Sequence, residues 1–159
     1  MRENKGKIEE NNPHKNKVHK ILAHSYLFLF VSFIFGLFVD SIFPLKFSSA
    51  SHPIFGFILI ILGTLIVFWA QRASIRLSKE NMSKETFLRG PYRFSRSPTH
   101  LGIFLMMFGF GITTDSFFII FFSIISILVA KLFFLKKQER ILEEKYGEPY
   151  KEYKKQVKF

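Results

Sequence analysis

From Gly90 to Gly102 the chain reads Gly-Pro-Tyr-Arg-Phe-Ser-Arg-Ser-Pro-Thr-His-Leu-Gly, and here its chemically able side chains are densest. Gly90-Pro91 is a turn signal. Pro98 suits the first turn of a helix, with Ser97 as its natural cap. The start of a helix offers free N–H groups and the positive end of the dipole, which together attract an anion. Arg93 and Arg96, just ahead of it, add positive charge. His100 falls one turn into an apolar run, where an ionisable group is expected to face the helix bundle rather than lipid. The same residues also suit a plainer arrangement, with both arginines on lipid phosphates and His100 at the interface.

Glu139 is the second feature. It follows the last apolar run and can reach the mouth at Pro98 if the two runs are neighbours. The alternative is a solvated carboxylate paired with Lys136 or Arg140 on its own helix. Glu143 and Glu144 fit that plainer role and receive no other. The chain has no Cys, which excludes disulfides, thiolate metal sites and cysteine nucleophiles. His14, His19, His24, His52 and His100 are scattered over different segments, so no metal is expected.

The elements that must position these residues are set by a composition extreme in two directions. Hydrophobic residues make up 48% of 159, with 22 Phe, yet the net charge is +11. One soluble core of this size cannot hide so much apolar surface. Apolar stretches at about 21–39, 54–71, 98–114 and 117–135 predict an all-α integral membrane protein with about four transmembrane helices. No small-residue cleavage pattern follows the first stretch, so it reads as a retained helix. Thr113 to Ser116 is short enough to join the last two spans as a helical hairpin, and Gly102, Gly109 and Gly111 permit close packing there.

Basic residues fall in residues 1–20, in the second loop (Arg72, Arg76, Lys79, Lys84, Arg89, Arg93, Arg96) and in the tail at 136–159, whereas the first loop carries Lys46 alone. The positive-inside rule then gives a multi-pass protein with both termini cytoplasmic. Residues 1–20 are expected to be a poorly ordered basic arm, and 21–159 a single membrane domain. In the tail, Leu135, Glu139, Leu142 and Tyr146 recur at helical spacing, Gly147 suits a helix end, and Pro149 suits the next start. Tyr150, Tyr153 and Val157 form an apolar stripe. The pI of about 10.0 arises from these loops rather than from a basic face, so no nucleic-acid partner is expected.

The loop segment resembles the signature G-P-Y-R-x-x-R-H-P-x-Y-x-G of the isoprenylcysteine carboxyl methyltransferase and phospholipid methyltransferase family. Gln138-Glu139-Arg140-Ile141-Leu142 is similar to its E-E-x-x-L. Tyr146-Gly147-Glu148-Pro149-Tyr150-Lys151-Glu152-Tyr153 is similar to its F-G-x-x-Y-x-x-Y ending. The resemblance covers roughly 55–158, with the motifs in the family's order. It departs at Ser97 and His100, where the family has histidine and tyrosine, and at Gln138, where it has glutamate.

The resemblance implies a methyltransferase that uses S-adenosylmethionine and acts at the cytoplasmic face on an apolar or lipid-like acceptor drawn from the bilayer. Tyr92, Arg93, Arg96, Pro98, Leu101 and Gly102 match the loop motif, and Glu139 the tail motif. Arg93 or Arg96, with the first amides of the helix, is then expected on the cofactor carboxylate. Glu139 is expected on the ribose hydroxyls or near the cationic end, and Tyr92 or Tyr146 beside the adenine or the sulfonium. Ser97 and His100 share a helix face, so His100 is expected to take over contacts of the missing histidine. It is also the general-base candidate by default. Two other readings stay open: a reductase using NADPH, and a non-catalytic family member.

Overall fold

The computed structural model describes residues 13–46, 53–77, 88 and 90–157. Its elements are helical: α1 (Pro13–Ile42), α2 (Pro53–Leu77), a 3-10 turn (Gly90–Arg93), α3 (Pro98–Thr113), α4 (Phe117–Val129), a π-helical stretch (Ala130–Leu135), α5 (Lys136–Tyr146) and α6 (Glu148–Gln156). Three helices are long and apolar enough to cross a membrane: Lys17–Ile42, Pro53–Ser74 and Phe117–Tyr146. The last runs from α4 through the π stretch into α5 without a break. Helix α3 is apolar but shorter. The chain is thus an all-α, multi-pass membrane bundle with a helical C-terminal region.

Its outer surface explains the composition. Phe30, Phe38, Phe55, Ile61, Leu65 and Phe133 are all more than half exposed. Apolar exposure on that scale belongs against lipid rather than water. Inside, small residues set how closely helices approach. A side chain at Gly63 would meet the Gly102 carbonyl at 2.5 Å, and one at Gly109 the Gly56 carbonyl at 2.6 Å. These reciprocal contacts zip α2 to α3, the most extensive pairing in the molecule. Of the three glycines expected to serve an α3–α4 hairpin, Gly102 and Gly109 therefore face α2. Gly111 does face α4, packing on Ile120. Helix α1 lies on α4 and α5.

Two expectations about the ends need correction. The arm was expected to be irregular to residue 20, but α1 begins at Pro13, because no helix breaker follows that proline. Residues 1–12 and the loop cations Lys79, Lys84 and Arg89 lie outside the described residues. Helix α2 also continues to Leu77, beyond the expected end at 71. At the far end of the bundle, Thr114–Ser116 turns α3 into α4. Ser116 caps α4 by accepting from the Ile119 N–H at 3.3 Å, and Lys46 pairs with Ser116 in an isolated bridge. At the near end, Gly147 has φ 63° and ψ −135°, a backbone that glycine alone adopts freely, and this turns α5 into α6.

Candidate functional site

The near end of the bundle gathers the start of α1, the end of α2, the 3-10 turn, the start of α3 and both tail helices. Arg96 Nη1 lies 2.9 Å from Glu139 Oε1, and both side chains are 18% exposed. The pair joins the mouth of α3 to α5. Glu139 Oε2 is held in turn by Lys154 Nζ of α6 at 3.2 Å, and Lys154 reaches Glu143 at 2.7 Å. Four alternating charges thus run from the loop to the last helix. Glu139 is paired with Arg96 and Lys154, both from outside its own helix, rather than with Lys136 or Arg140. Arg140 instead meets Glu144, at 3.6 Å on the exposed face.

Aromatic side chains close one flank. Tyr150, Tyr153 and Val157 are buried against Leu88, Tyr92, Leu142 and Tyr146. The Tyr153 hydroxyl donates to the Tyr92 carbonyl at 2.8 Å, which ties α6 to the 3-10 turn. Burial pushes the Tyr92 hydroxyl above its ordinary value, partly offset by a hydrogen bond with Ser74. Tyr150 and Tyr153 are raised further, chiefly by burial and then by neighbouring groups, Glu139 among them for both. Lys154 is raised mainly by its hydrogen bond with Glu143.

The remaining expected residues divide. Pro98 is buried at the first turn of α3, as its type requires. Ser97 holds the cap position but makes no side-chain capping bond; its own N–H donates to the Ser95 hydroxyl at 3.2 Å. The expected cap is therefore corrected: with φ −137° and ψ 64°, Ser97 leaves the first amides of α3 uncapped by its hydroxyl. Arg93 is exposed, its guanidinium 4.9 Å from the Phe94 ring centre, so it stands apart from the Arg96–Glu139 pair. Tyr146 belongs to the aromatic cluster, with Lys145 Nζ 4.7 Å from its ring centre. Leu101 is 39% exposed, and Gly102 sits in the α2 seam.

Residues 51–149, more than half the chain, match the family described as phospholipid methyltransferase. The chain belongs to the phospholipid methyltransferase family. No curated protein and no solved structure matches it. The family match spans α2 to the start of α6, so α1 and most of α6 supply the site with residues from outside it.

Ser25 and Lys154 are such residues, and the sequence reading gave neither a role. His100 is 1% exposed, and its Nε2 lies 2.7 Å from the Ser25 hydroxyl of α1. Its ring packs 5.1 Å from that of Tyr26, centre to centre. One turn deeper, Leu29, Met107 and Ala130 meet with Tyr26, Ile103 and Phe134 around them. The polar pair is therefore set in an apolar wall shared by α1, α3 and the π stretch. Among the described residues no group of three or more His, Asp or Glu gathers as a metal site would require.

Proposed function

We propose that this phospholipid methyltransferase family member transfers a methyl group from S-adenosylmethionine to an apolar or lipid-like acceptor at the cytoplasmic face of the membrane. Four spans are proposed, α3 and α4 forming a hairpin. The Arg96–Glu139 pair at the mouth of α3 carries the reading, because it brings the loop motif and the tail motif into one half-buried place.

The residues present fit that cofactor. Its carboxylate needs a cation and backbone donors, which Arg96 and the first free amides of α3 offer. Its cationic end and ribose hydroxyls need an acceptor, which Glu139 offers. Tyr92 and Tyr146 supply aromatic surface beside them. When bound, the cofactor supplies an electrophilic methyl group whose departure leaves a neutral thioether. The protein's part is alignment, which can supply roughly 7–11 kcal/mol of barrier lowering for well-oriented partners. Arg93, Ser97, Pro98, Leu101 and Gly102 are proposed to shape the mouth rather than bear charge on the reacting atoms. The wall at Tyr26, Leu29, Ile103 and Phe134 suits a hydrocarbon acceptor. A carboxylate acceptor needs no base at neutral pH; an amine does, and His100 is the candidate.

Calorimetry with S-adenosylhomocysteine on the detergent-purified chain tests the cofactor. Labelled methyl transfer into total membrane lipid and protein, with mass identification of the product, tests the acceptor class. Binding of NADPH instead, or of neither ligand, overturns the reading.

A further inference from the structure

We propose that Lys154 of the C-terminal helix is a positioning residue of this site: it holds the second oxygen of Glu139 and so latches α6 over the cofactor mouth. The inference rests on the methyltransferase reading. Its grounds are geometric. Glu139 takes Arg96 on Oε1 and Lys154 on Oε2, so the carboxylate is fixed from two sides by residues of two different segments. Lys154 also meets Glu143, one turn along α5, and can stay docked there when Glu139 must turn toward a ligand. The Lys154 side chain is 39% exposed and that of Glu139 18%, so the lysine is the more solvent-facing of the two, as a latch would be. Tyr153, adjacent in sequence, anchors the same helix to the Tyr92 carbonyl of the loop motif.

Charge balance gives the lysine its effect. Arg96, Lys154, Glu139 and Glu143 sum to zero. With Lys154 present, Glu139 is shared, and Arg96 keeps positive character for an incoming carboxylate. Without it, Glu139 pairs with Arg96 alone and neutralises it, so the mouth loses its hold on the anionic end. The lysine acts through Glu139 and need not touch the cofactor.

The test is S-adenosylhomocysteine binding to the full chain in detergent, by calorimetry. Lys154→Met is expected to bind about tenfold more weakly, as loss of a charge-assisted hydrogen bond predicts. A double substitution with Glu139→Gln is expected to bind no worse than Glu139→Gln alone, because residues acting as one unit are not additive. Glu143→Gln, which removes the lysine's second anchor and leaves its contact with Glu139, is expected to bind at least as tightly as the parent. In the parent, the ligand should also slow hydrogen exchange across 148–156, and in Lys154→Met it should not. Parent-like affinity in Lys154→Met, or additive losses in the double variant, overturns the latch while leaving the methyltransferase reading intact. A loss in Glu143→Gln equal to that of Lys154→Met marks a merely structural tail and also overturns it. If the parent binds no S-adenosylhomocysteine, the reading beneath the latch fails, and the latch with it.

Discussion

A polar group inside a membrane bundle is held by its partner, and His100 shows how little slack there is. Its ring is almost fully buried, with the Ser25 hydroxyl at 2.7 Å. Interhelical hydrogen bonds in membranes average only about 0.6 kcal/mol, but stranding a buried polar group costs about 1–3 kcal/mol. Ser25→Ala is therefore expected to destabilise the chain by about 1–3 kcal/mol in denaturant titration in micelles. Ser25→Ala with His100→Phe removes both polar groups and should recover part of that loss. A parent-like unfolding midpoint in Ser25→Ala would show that the contact contributes nothing. That Arg96 and Glu139 lie close was legible in the sequence, because each stands at the same end of adjoining apolar runs. Ser25 and Lys154 were not legible. Their roles depend on which face of α1 and of α6 turns inward, and nothing in a run of Phe, Leu and Ser, or of Lys and Glu, encodes that choice.

Between elements, closeness of approach decides. Gly109→Val would drive a side chain into the Gly56 carbonyl and Leu59, and backbone cannot yield there as a flexible side chain can. Overpacking of this kind costs about 1–3 kcal/mol and should lower the midpoint of unfolding in detergent. Gly147→Ala meets no atom within 4 Å yet imposes a backbone alanine rarely adopts, so about 1–3 kcal/mol of strain falls on the α5–α6 corner alone. Protease nicking of α6 should rise in Gly147→Ala and stay unchanged in Gly109→Val; the same nicking pattern in both would refute the distinction. Helices α2 to α6 were largely legible from apolar runs and from Pro98, Gly147 and Pro149. The π-helical stretch Ala130–Leu135 was not, since an i→i+5 turn leaves no mark in residue type.

The tail's packing also sets a pH dependence. Tyr92, Tyr150 and Tyr153 are raised above 10.0 by burial, and Lys154 above 10.5 by Glu143. Raised values mean that the folded tail binds its protons more tightly than the unfolded chain. Its stabilisation is thus complete below about pH 10 and is lost as pH climbs through the folded values. Tyrosinate absorbance should show these tyrosines titrating late, together with release of α6. Titration at ordinary tyrosine pH with the tail still docked would contradict the packing.

At the scale of the whole molecule, charge and geometry agree on two ends. Ser25–His100, Arg96–Glu139 and Tyr153–Tyr92 place the start of α1, the mouth of α3 and the tail at one end. The Lys46–Ser116 bridge marks the other, where Lys46 is the one basic residue described. Lys17, Lys20, Arg72, Lys136 and Lys137 fall toward the first end, so the positive-inside rule predicts a cytoplasmic address for it. The chain lacks Cys, so a single introduced thiol reports sidedness without background. In intact cells, Lys46→Cys should react with a membrane-impermeant maleimide, whereas Lys155→Cys should react only after the membrane is opened. The two positions bracket the bundle, both are exposed, and neither lies in the Arg96–Glu139–Lys154 network, so labelling reads orientation rather than folding. The reverse pattern would put the proposed site outside the cell, away from the cytoplasmic supply of S-adenosylmethionine on which the proposed reaction depends.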